Sequence, residues 1–223
     1  MNIRQFPTYK SLIERAQIYG ESRGVEVLFG IEAEVFPNAE KLESMKAVLA
    51  TEQFDFILGS LHHQLPIFRR WLSEQNHNTD QDKIDAYFSA LAEGAASGLY
   101  NSMSHPDVIR IYGTIDSFEP EDHEATISNF LRTLVKHDVH MEVNTSGLTK
   151  GVYKIHPDPI ILGWAQKLGV RLTIGSDSHN PKQVGQYFTQ AFKLLDDIGF
   201  EHISYFKNGI PIDVSLETIL KGR

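Results

Sequence analysis

Side chains that can bind metal ions recur in this sequence at the ends of apolar, strand-like segments. They are Glu32 and Glu34, His62 and His63, His105 and Asp107, Glu142 and Asn144, and Asp177 and His179. Carboxylates and imidazoles gathered in one cavity would repel one another or stay unsatisfied unless a cation paired with them. Such a cluster suits a site with several divalent metal ions, which activates water and neutralises phosphate oxygens.

The segment from Gly175 to His179 carries the clearest pair of ligands. Asp177 and His179 are two residues apart, and on extended backbone such residues point to the same side. Their neighbours Ser176 and Ser178 are small and leave room for a cation with bound water. We therefore expect Asp177 and His179 to face one pocket.

Simpler interpretations stand beside the metal site. An isolated histidine is more often a surface or hydrogen-bonded residue than a ligand, which applies to His77, His123, His137, His140 and His202. Asp107 follows a proline and fits a turn, while Glu34 faces either the site or solvent. The metal interpretation depends on the shared position of the candidate ligands at strand ends, which the simpler interpretations do not predict.

Composition narrows both the class of protein and the kind of metal ligand. The 223 residues suit one domain or at most two small ones, and the formal net charge of -8 argues against a nucleic-acid partner. A small phosphorylated molecule remains compatible with that charge, because a metal ion supplies positive charge locally. Since the chain has no cysteine, a metal must bind to His, Asp and Glu, which suits zinc, manganese or iron.

The sequence also predicts a cytoplasmic protein with no membrane partner. The absence of disulfides fits the cytoplasm. Residues 1–10 are polar and contain a proline, which is not the pattern of a signal peptide. No apolar run approaches the roughly 20 residues that span a bilayer.

Helix-like and strand-like patterns alternate along the chain. Apolar residues recur with helical spacing in residues 9–16, 40–50, 84–95, 127–134 and 188–195. Strand-like apolar segments occur in residues 25–34, 54–61, 139–143, 170–174 and 203–206. Thr79 and Asp82 form a capping-box pattern, and Asp158, Pro159 and Gly169 frame one more helix.

This alternation predicts a parallel sheet, either closed into a barrel or open and doubly wound. In both architectures the functional site forms at the carboxyl ends of the strands. No glycine-rich phosphate loop follows any of the strand-like segments. A barrel is therefore favoured over a nucleotide-binding open sheet.

Five segments together resemble one known superfamily. They are GIEAEVFP at 30–37, DFILGSLH at 55–62, SHPD at 104–107, EVNTSGL at 142–148 and GSDSH at 175–179. They look like the polymerase and histidinol phosphatase (PHP) superfamily, and their order and spacing resemble its histidinol-phosphatase branch. The resemblance covers residues 1–223 as a single domain. It implies an α/β fold, a distorted (β/α)7 TIM-like barrel with up to three zinc, manganese or iron ions at the carboxyl ends of its strands.

The resemblance also implies a chemistry and a set of ligands. In the family a metal-bridging hydroxide attacks the phosphorus of a small phosphomonoester, which for this branch is histidinol phosphate. Carried onto this chain, Glu32 would be the bridging carboxylate, with His62, His105, Asp177 and His179 as further metal ligands. Glu32, Asp177 and His179 would be the residues closest to catalysis.

Three further residues are candidates for contact with the substrate. Lys150 follows the strand that ends at Asn144, where the family often places a basic residue, and it is either a phosphate contact or a solvated loop lysine. Asn144 and His156 are candidates for the pocket wall.

One departure from the family pattern changes the expectation. Family members open with a strand that carries a His-x-His pair, whereas residues 7–20 here resemble the helix that precedes the glutamate motif. We therefore expect a barrel that is incomplete at its N-terminal strands and associates with itself through exposed strand edges. We also expect one well-held metal, bound by Glu32, His62 and His105.

Two alternative functions remain open at this point. The first is a catalytically impaired PHP protein with a metal-binding or scaffold role, which the absent ligands favour. The second is a PHP phosphodiesterase or nuclease, against which the acidic net charge of -8 counts.

Overall fold

Helices and parallel strands alternate in the computed structural model, which describes residues 5–150 and 153–222. The helices are α1 (Phe6–Glu21), α2 (Ala39–Leu49), α3 (Pro66–Glu74), α4 (Asp80–Ala96), α5 (Glu124–His137), α6 (Pro159–Leu168), α7 (Phe188–Ile198) and α8 (Leu216–Lys221). The strands are β1 (Gly30–Glu34), β2 (Phe56–Ser60), β3 (Ser102–Met103), β4 (His140–Asn144), β5 (Leu172–Gly175), β6 (His202–Lys207) and β7 (Ile210–Ser215).

Five of these strands form one parallel sheet in the order β1-β2-β3-β4-β5. The register between β1 and β2 places Glu34 opposite Ser60. Because every strand runs in the same direction, all five carboxyl ends lie at one edge. The predicted α/β class with a parallel sheet is confirmed. Within the part of the chain that the structure describes, β1 has a strand partner on one side alone, and self-association through this edge stays a prediction.

Helices cover the sheet and bury their apolar faces on it. Ile84, Tyr87 and Leu91 form the fully buried face of α4, and the predicted capping box of Thr79 and Asp82 begins that helix. The ring of Phe88 lies 5.9 Å from that of Phe130, which packs α4 against α5. Of the helices described, none is both long and apolar enough to cross a lipid bilayer.

The last two strands form a hairpin that closes the opposite, amino edge of the sheet. Strands β6 and β7 pair with each other in antiparallel fashion. The ring of Phe206 packs against Phe56 at 5.3 Å and against His140 at 4.8 Å, at the starts of β2 and β4. The hairpin turn is held by the backbone N–H of Asn208, which donates to the Asp55 carboxylate over 2.8 Å.

Four details differ from the sequence prediction. The first strand begins at Gly30 rather than at residue 25, because its partner β2 begins at Phe56 and the N–H of Phe29 is bound by the Asp55 side chain. Helices α3 and α8 were not predicted, since both are short. The segment 203–206 was predicted as a single strand, but it pairs with β7 in a hairpin.

His140 links the hairpin to the sheet through a hydrogen bond, and its imidazole is neutral in this position. Ser204 Oγ donates to Asp213 over 2.6 Å, so it accepts the Nε2–H of His140 at 3.0 Å. The Nδ1 atom of His140 is buried and has no hydrogen-bond partner. Burial, assisted by the charge of Arg171, lowers the pKa of His140 to about 4.

We predict that His140 makes the protein less stable in acid. The pKa of His140 in the folded state lies below its ordinary value of about 6.5. The neutral imidazole therefore contributes fully to the free energy of unfolding above pH 6.5, and this contribution is lost as the pH falls towards 4. The His140→Gln variant should lose this dependence, up to about 1.4 kcal/mol per pH unit in the free energy of unfolding. Urea unfolding of metal-free protein at pH 7, 6 and 5 measures it. The exposed His137→Gln variant is the control, and equal pH slopes for His140→Gln and the parent would contradict the prediction.

Candidate metal centre

Three side chains converge at the carboxyl edge of the sheet. Glu32 comes from β1, His62 follows β2, and His105 follows β3. Their ligand atoms all lie within 4.8 Å of one another. Glu32 Oε1 is 3.6 Å from His62 Nε2 and 3.7 Å from His105 Nε2. The fold thus brings together the three residues that the family resemblance implied for one metal ion.

The spacing of this triad fits a transition-metal ion. Ligand atoms about 2.1 Å from a tetrahedral metal lie about 3.4 Å from one another, which is close to the separations observed. A carboxylate with two imidazoles suits zinc, manganese or iron. Among residues 5–150 and 153–222, no other group of three such side chains is this close.

Glu34 holds His62 in the orientation that a metal ligand needs. Its Oε2 accepts the Nδ1–H of His62 over 2.7 Å, and its Oε1 accepts the backbone N–H of His62 over 3.0 Å. With the proton on Nδ1, the free lone pair is on Nε2, which faces Glu32. A carboxylate behind a ligating histidine sets the tautomer and raises the basicity of the imidazole. The hydrogen bond to Glu34 raises the pKa of His62, assisted by the charges of Glu32 and Asp177.

A serine hydroxyl lies beneath the triad. Ser60 ends β2 and is fully buried, and its Oγ lies 3.2 Å from His105 Nε2 and 3.4 Å from His62 Nε2. Burial alone would raise the pKa of Glu32. The hydrogen bonds and charge of His105, the Ser60 hydroxyl and the charge of His62 outweigh it and lower that pKa to about 2. Glu32 is therefore ionised at neutral pH and available to a cation.

A second buried carboxylate fixes the backbone of His105. Glu142 Oε2 accepts from Ser104 Oγ at 2.7 Å, from His105 N at 3.1 Å and from Asn144 Nδ2 at 3.0 Å. His105 has a left-handed backbone with φ of 22°, and these bonds hold that conformation. A side chain at Gly175 would collide with the Glu142 carboxylate. The glycine of the GSDSH segment thus makes room for the Glu142 carboxylate.

Asp177 lies at the side of the triad and is bound by two donors. Its Oδ2 accepts from Lys150 Nζ at 2.9 Å and from Ser146 Oγ at 3.0 Å. The extended backbone expected at Asp177 is wrong, because φ is 46°. His179 instead donates from Nδ1 to the backbone oxygen of Asp177 over 3.0 Å, and its side chain is 86% exposed. Neither Asp177 nor His179 belongs to the close group of three.

The two residues expected in the pocket wall are buried. Asn144 accepts the N–H of Ser146 and donates to Glu142. His156 is fully buried and donates from Nδ1 to Asp107 over 2.5 Å. The backbones of Asn144 and His156 are also bridged by two hydrogen bonds, of 2.7 and 3.0 Å. Both residues therefore support the segment between them, which carries Ser146 and Lys150.

Asp107 and His63 are internal supports. Asp107 is completely buried and also pairs with Arg110 at 3.1 Å. It therefore does more than form a turn after Pro106, because it joins Arg110 to His156 in the interior. His63 Nε2 donates to the Val108 carbonyl over 3.0 Å, and its Nδ1 accepts from Thr114 Oγ1 over 2.6 Å. Burial lowers the pKa of His63 to about 4. With both ring nitrogens bound, His63 is a neutral structural residue.

An open groove of about 450 Å³ lies between β1 and α2, beside the unpaired edge of β1. Ile31, Ala33 and Met45 contribute apolar surface to its lining, and Glu32 and Glu34 contribute carboxylates. Glu32 is the member of the triad that borders this groove, and its side chain is 41% exposed.

The sequence does not indicate the roles of four polar residues around the triad. Ser60 and Ser146 lie within two of the family-like segments, and Glu34 and Glu142 are candidate metal ligands at strand ends that act instead as hydrogen-bond acceptors. Period-two spacing places Glu34 on the same face as Glu32 and was a usable signal. Nothing in the local sequence marked Ser146 as the partner of Asp177, because that contact crosses 31 residues.

Comparison with known protein families gives two consecutive matches. The family described as PHP domain matches residues 1–146, and the family described as PHP-associated matches residues 161–197. The first match spans more than half of the chain, and it contains Glu32, His62 and His105.

Individual relatives and solved structures agree with the family match. A probable histidinol-phosphatase of Deinococcus radiodurans is 29% identical, over 92% of this chain and 77% of its own length. A probable histidinol-phosphatase of Schizosaccharomyces pombe is 28% identical, over 92% of this chain and 71% of its own length. The crystal structure of histidinol phosphate phosphatase from Lactococcus lactis, complexed with zinc, L-histidinol and phosphate, has a TM-score of 0.73 at 19% identity and covers 93% of this chain and 79% of that one. These similarities confirm the predicted TIM-like fold class.

We predict that Glu34→Gln weakens metal binding without removing a metal ligand. An amide accepts through one oxygen only and would present its N–H2 group to one of the two His62 donors. We expect zinc affinity to fall by about 10- to 100-fold. Chelator competition measures the affinity, and nitrogen-15 NMR of the His62 ring reports the tautomer. Glu43→Gln, an exposed change on α2, is the control, and unchanged affinity with an unchanged tautomer would contradict the role of Glu34.

Proposed function

Because the chain belongs to the PHP domain family, we propose that it hydrolyses histidinol phosphate to histidinol and inorganic phosphate with the help of a divalent metal ion. The observation that carries the proposal is the convergence of Glu32, His62 and His105 within 4.8 Å. The names of the relatives from Deinococcus and fission yeast support the choice of substrate.

Glu32, His62 and His105 would hold the metal, with Glu34 orienting the imidazole of His62 and Glu142 holding the backbone of His105. Zinc is present in the related Lactococcus structure, and manganese or iron would suit the same donors. A bound divalent ion neutralises charge on phosphate oxygens and lowers the pKa of a water molecule.

Lys150 and Asp177 form an ion pair, which would have to break before Asp177 could bind a second metal ion. The Lys150 ammonium is partly exposed and lies on Asp177 Oδ2. We propose that Lys150 donates to a phosphate oxygen of the substrate. Asp177 and His179 would then be free to act as the further ligands and catalytic groups of the site. Since Lys150 and a second metal compete for the same carboxylate, that metal binds more weakly than the first.

Asn144 and His156 contribute indirectly. Their paired backbones and the Asp107–His156 hydrogen bond brace the segment that carries Lys150. We propose that they position this segment rather than contact the substrate. We also propose that residues 1–223 act as a single domain in the cytoplasm.

A second candidate function is metal binding with little turnover. The observation that favours it is the ion pair between Lys150 and Asp177, which occupies a proposed ligand. The exposed His179 side chain also lies outside the close group of three. This candidate predicts a bound metal without phosphate release, whereas a phosphatase would show both.

We predict one tightly bound divalent metal ion per chain. Three protein ligands hold a transition metal with water in the open position, whereas Asp177 is already paired. Elemental analysis after dialysis should give about one metal per chain for the parent and close to none for His105→Ala, because two ligands rarely retain a metal. The exposed His202→Ala variant should keep its metal. Two or three retained ions in the parent would show that other residues complete further sites.

We predict metal-dependent phosphate release that needs Asp177. In the presence of zinc or manganese, histidinol phosphate should be hydrolysed faster than single-stranded oligonucleotides, which the acidic chain does not attract. Asp177→Asn should lower kcat/KM by about 100-fold or more, with an unchanged circular dichroism spectrum. Asp197→Asn, an exposed change on α7, is the matched control. Faster turnover of oligonucleotides would favour a nuclease, and metal binding without turnover would favour the second candidate.

A further inference from the structure

Arg110 is a buried cation to which the proposed function assigns no role. It ends the short helical turn that follows β3, and its side chain is 6% exposed. Its Nη1 lies 3.1 Å from Asp107 Oδ2 and donates to Asp158 Oδ2 over 3.2 Å, and its Nη2 donates to the carbonyl of Ile155 over 2.5 Å. The loop after β3 is therefore bound to residues 155–158 through an interior charge.

Asp107 attaches the same segment by two further hydrogen bonds. Its Oδ1 accepts from His156 Nδ1 over 2.5 Å, and its Oδ2 accepts the backbone N–H of Asp158 over 2.8 Å. Asp158 Oδ1 caps the start of α6, and its Oδ2 pairs with Arg110 and with Lys154. The two loops are thus joined by buried charges as well as by backbone bonds.

Stability alone does not account for this network. A buried ion pair must offset the removal of two charges from water, and apolar residues of similar volume are often at least as stable. A guanidinium is a rigid, planar set of donors, so it holds its acceptors in one arrangement. The arrangement held by Arg110 is that of residues 155–158 relative to the loop after β3. That loop carries the candidate metal ligand His105, two residues before Asp107.

The anchored residues in turn close the segment that carries Lys150. The backbones of Asn144 and His156 are bridged by two hydrogen bonds, of 2.7 and 3.0 Å, at the base of this segment. A Cβ atom on Gly147 would lie 2.2 Å from the carbonyl oxygen of Lys154 and 2.7 Å from His156 Cδ2. The start of the segment therefore lies directly against its end, and a shift of the end carries the start with it.

Ser146 and Lys150 bring this segment to the candidate site. Both side chains donate to Asp177 Oδ2, over 3.0 and 2.9 Å. The charge of Asp177 contributes to the raised pKa of His62, so this group of contacts lies beside the triad. One network thus connects the loop of a candidate metal ligand, His105, with the loop of the proposed phosphate contact.

We propose that Arg110 is a positioning residue that holds Lys150 at the separation from the metal centre that a phosphate group requires. This inference rests on the proposed phosphatase function. Arg110 acts through Lys150 and not on the substrate, because its guanidinium is buried and bound to residues of two loops. Without Arg110 the two loops are free to separate, and a phosphate group would no longer contact the metal and Lys150 together.

A double-mutant cycle between Arg110 and Lys150 tests the proposal. In the zinc-loaded chain, Arg110→Met should lower kcat/KM for histidinol phosphate by roughly 10- to 100-fold, because a misplacement of about 1 Å has effects of this size. In a Lys150→Met background the same change should lower it by less than about threefold, since no ammonium group is left to position. A residue that acted through general stability alone would give equal factors in both backgrounds.

A charge-conserving variant keeps the test valid if Arg110→Met does not fold, because removal of one partner from a buried ion pair is destabilising. Arg110→Lys retains the positive charge beside Asp107 and Asp158, but a single ammonium lacks the planar fork that reaches both carboxylates and the Ile155 carbonyl. It should fold, as judged by circular dichroism, and lose roughly 3- to 10-fold in kcat/KM. This loss should again require Lys150. Arg132→Met, an exposed change on α5, is the matched control and should have no effect.

Binding of inorganic phosphate gives the same cycle without turnover. Calorimetric titration of the zinc-loaded chain should give a Kd about 10-fold weaker for Arg110→Met than for the parent. The Lys150→Met variant and the double variant should agree within about threefold. If the parent binds phosphate with this pattern but hydrolyses no phosphomonoester, the phosphatase proposal fails and the role of Arg110 stands. Equal factors in both Lys150 backgrounds, a Lys150→Met variant with the phosphate affinity of the parent, or a parent that binds no phosphate would overturn that role.

Discussion

The parallel register between β1 and β2 is the constraint on which the candidate metal centre depends. It sets Glu32 opposite Leu58 and Glu34 opposite Ser60. Both glutamates point to the same side of the strand, so one register delivers a metal ligand and the carboxylate that orients His62. A slip by one residue would turn both glutamates to the other face of the sheet. The imidazole of His62 would then lose its orienting partner and the triad its carboxylate.

The carboxylates around the site accept hydrogen bonds from buried donors, and these bonds set the positions of the candidate metal ligands. Glu34 accepts two hydrogen bonds from His62, and Glu142 accepts three from the neighbouring segments. Asp177 is paired with Lys150. A carboxylate taken out of water must be paired or hydrogen-bonded, so these partners are required for folding as well as for orientation. Glu32, whose partners are two imidazoles and a hydroxyl, is the carboxylate placed to receive a cation.

The two edges of the sheet have different tasks. At the amino edge, the hairpin packs Phe206 on Phe56 and His140, with unstrained strands and a buried interface. At the carboxyl edge, the loops carry left-handed residues, exposed rings and partly exposed charged groups. Barrels of this kind commonly place stability at one edge and chemistry at the other. In this chain the left-handed residues at the carboxyl edge include His105 and Asp177, whereas Asp138 and Asn208 at the amino edge lie in turns.

The sequence by itself determined the alternation of helices and strands, the capping box at Thr79, and the placement of metal-binding residues at strand ends. These features follow from local periodicity and residue type, which a single sequence contains. Tertiary structure decided which side chains meet, because the contacts cross long stretches of chain: 28 residues for Glu34 with His62, 37 for Glu142 with His105, and 49 for Asp107 with His156. It also decided the left-handed backbone of Asp177, whose partners Lys150 and Ser146 lie about 30 residues away in the sequence. The final hairpin, by contrast, was encoded locally, because Asn208 and Gly209 form the two-residue turn that joins β6 to β7. Partners that strand register supplies are not encoded in local spacing, whereas a tight turn is.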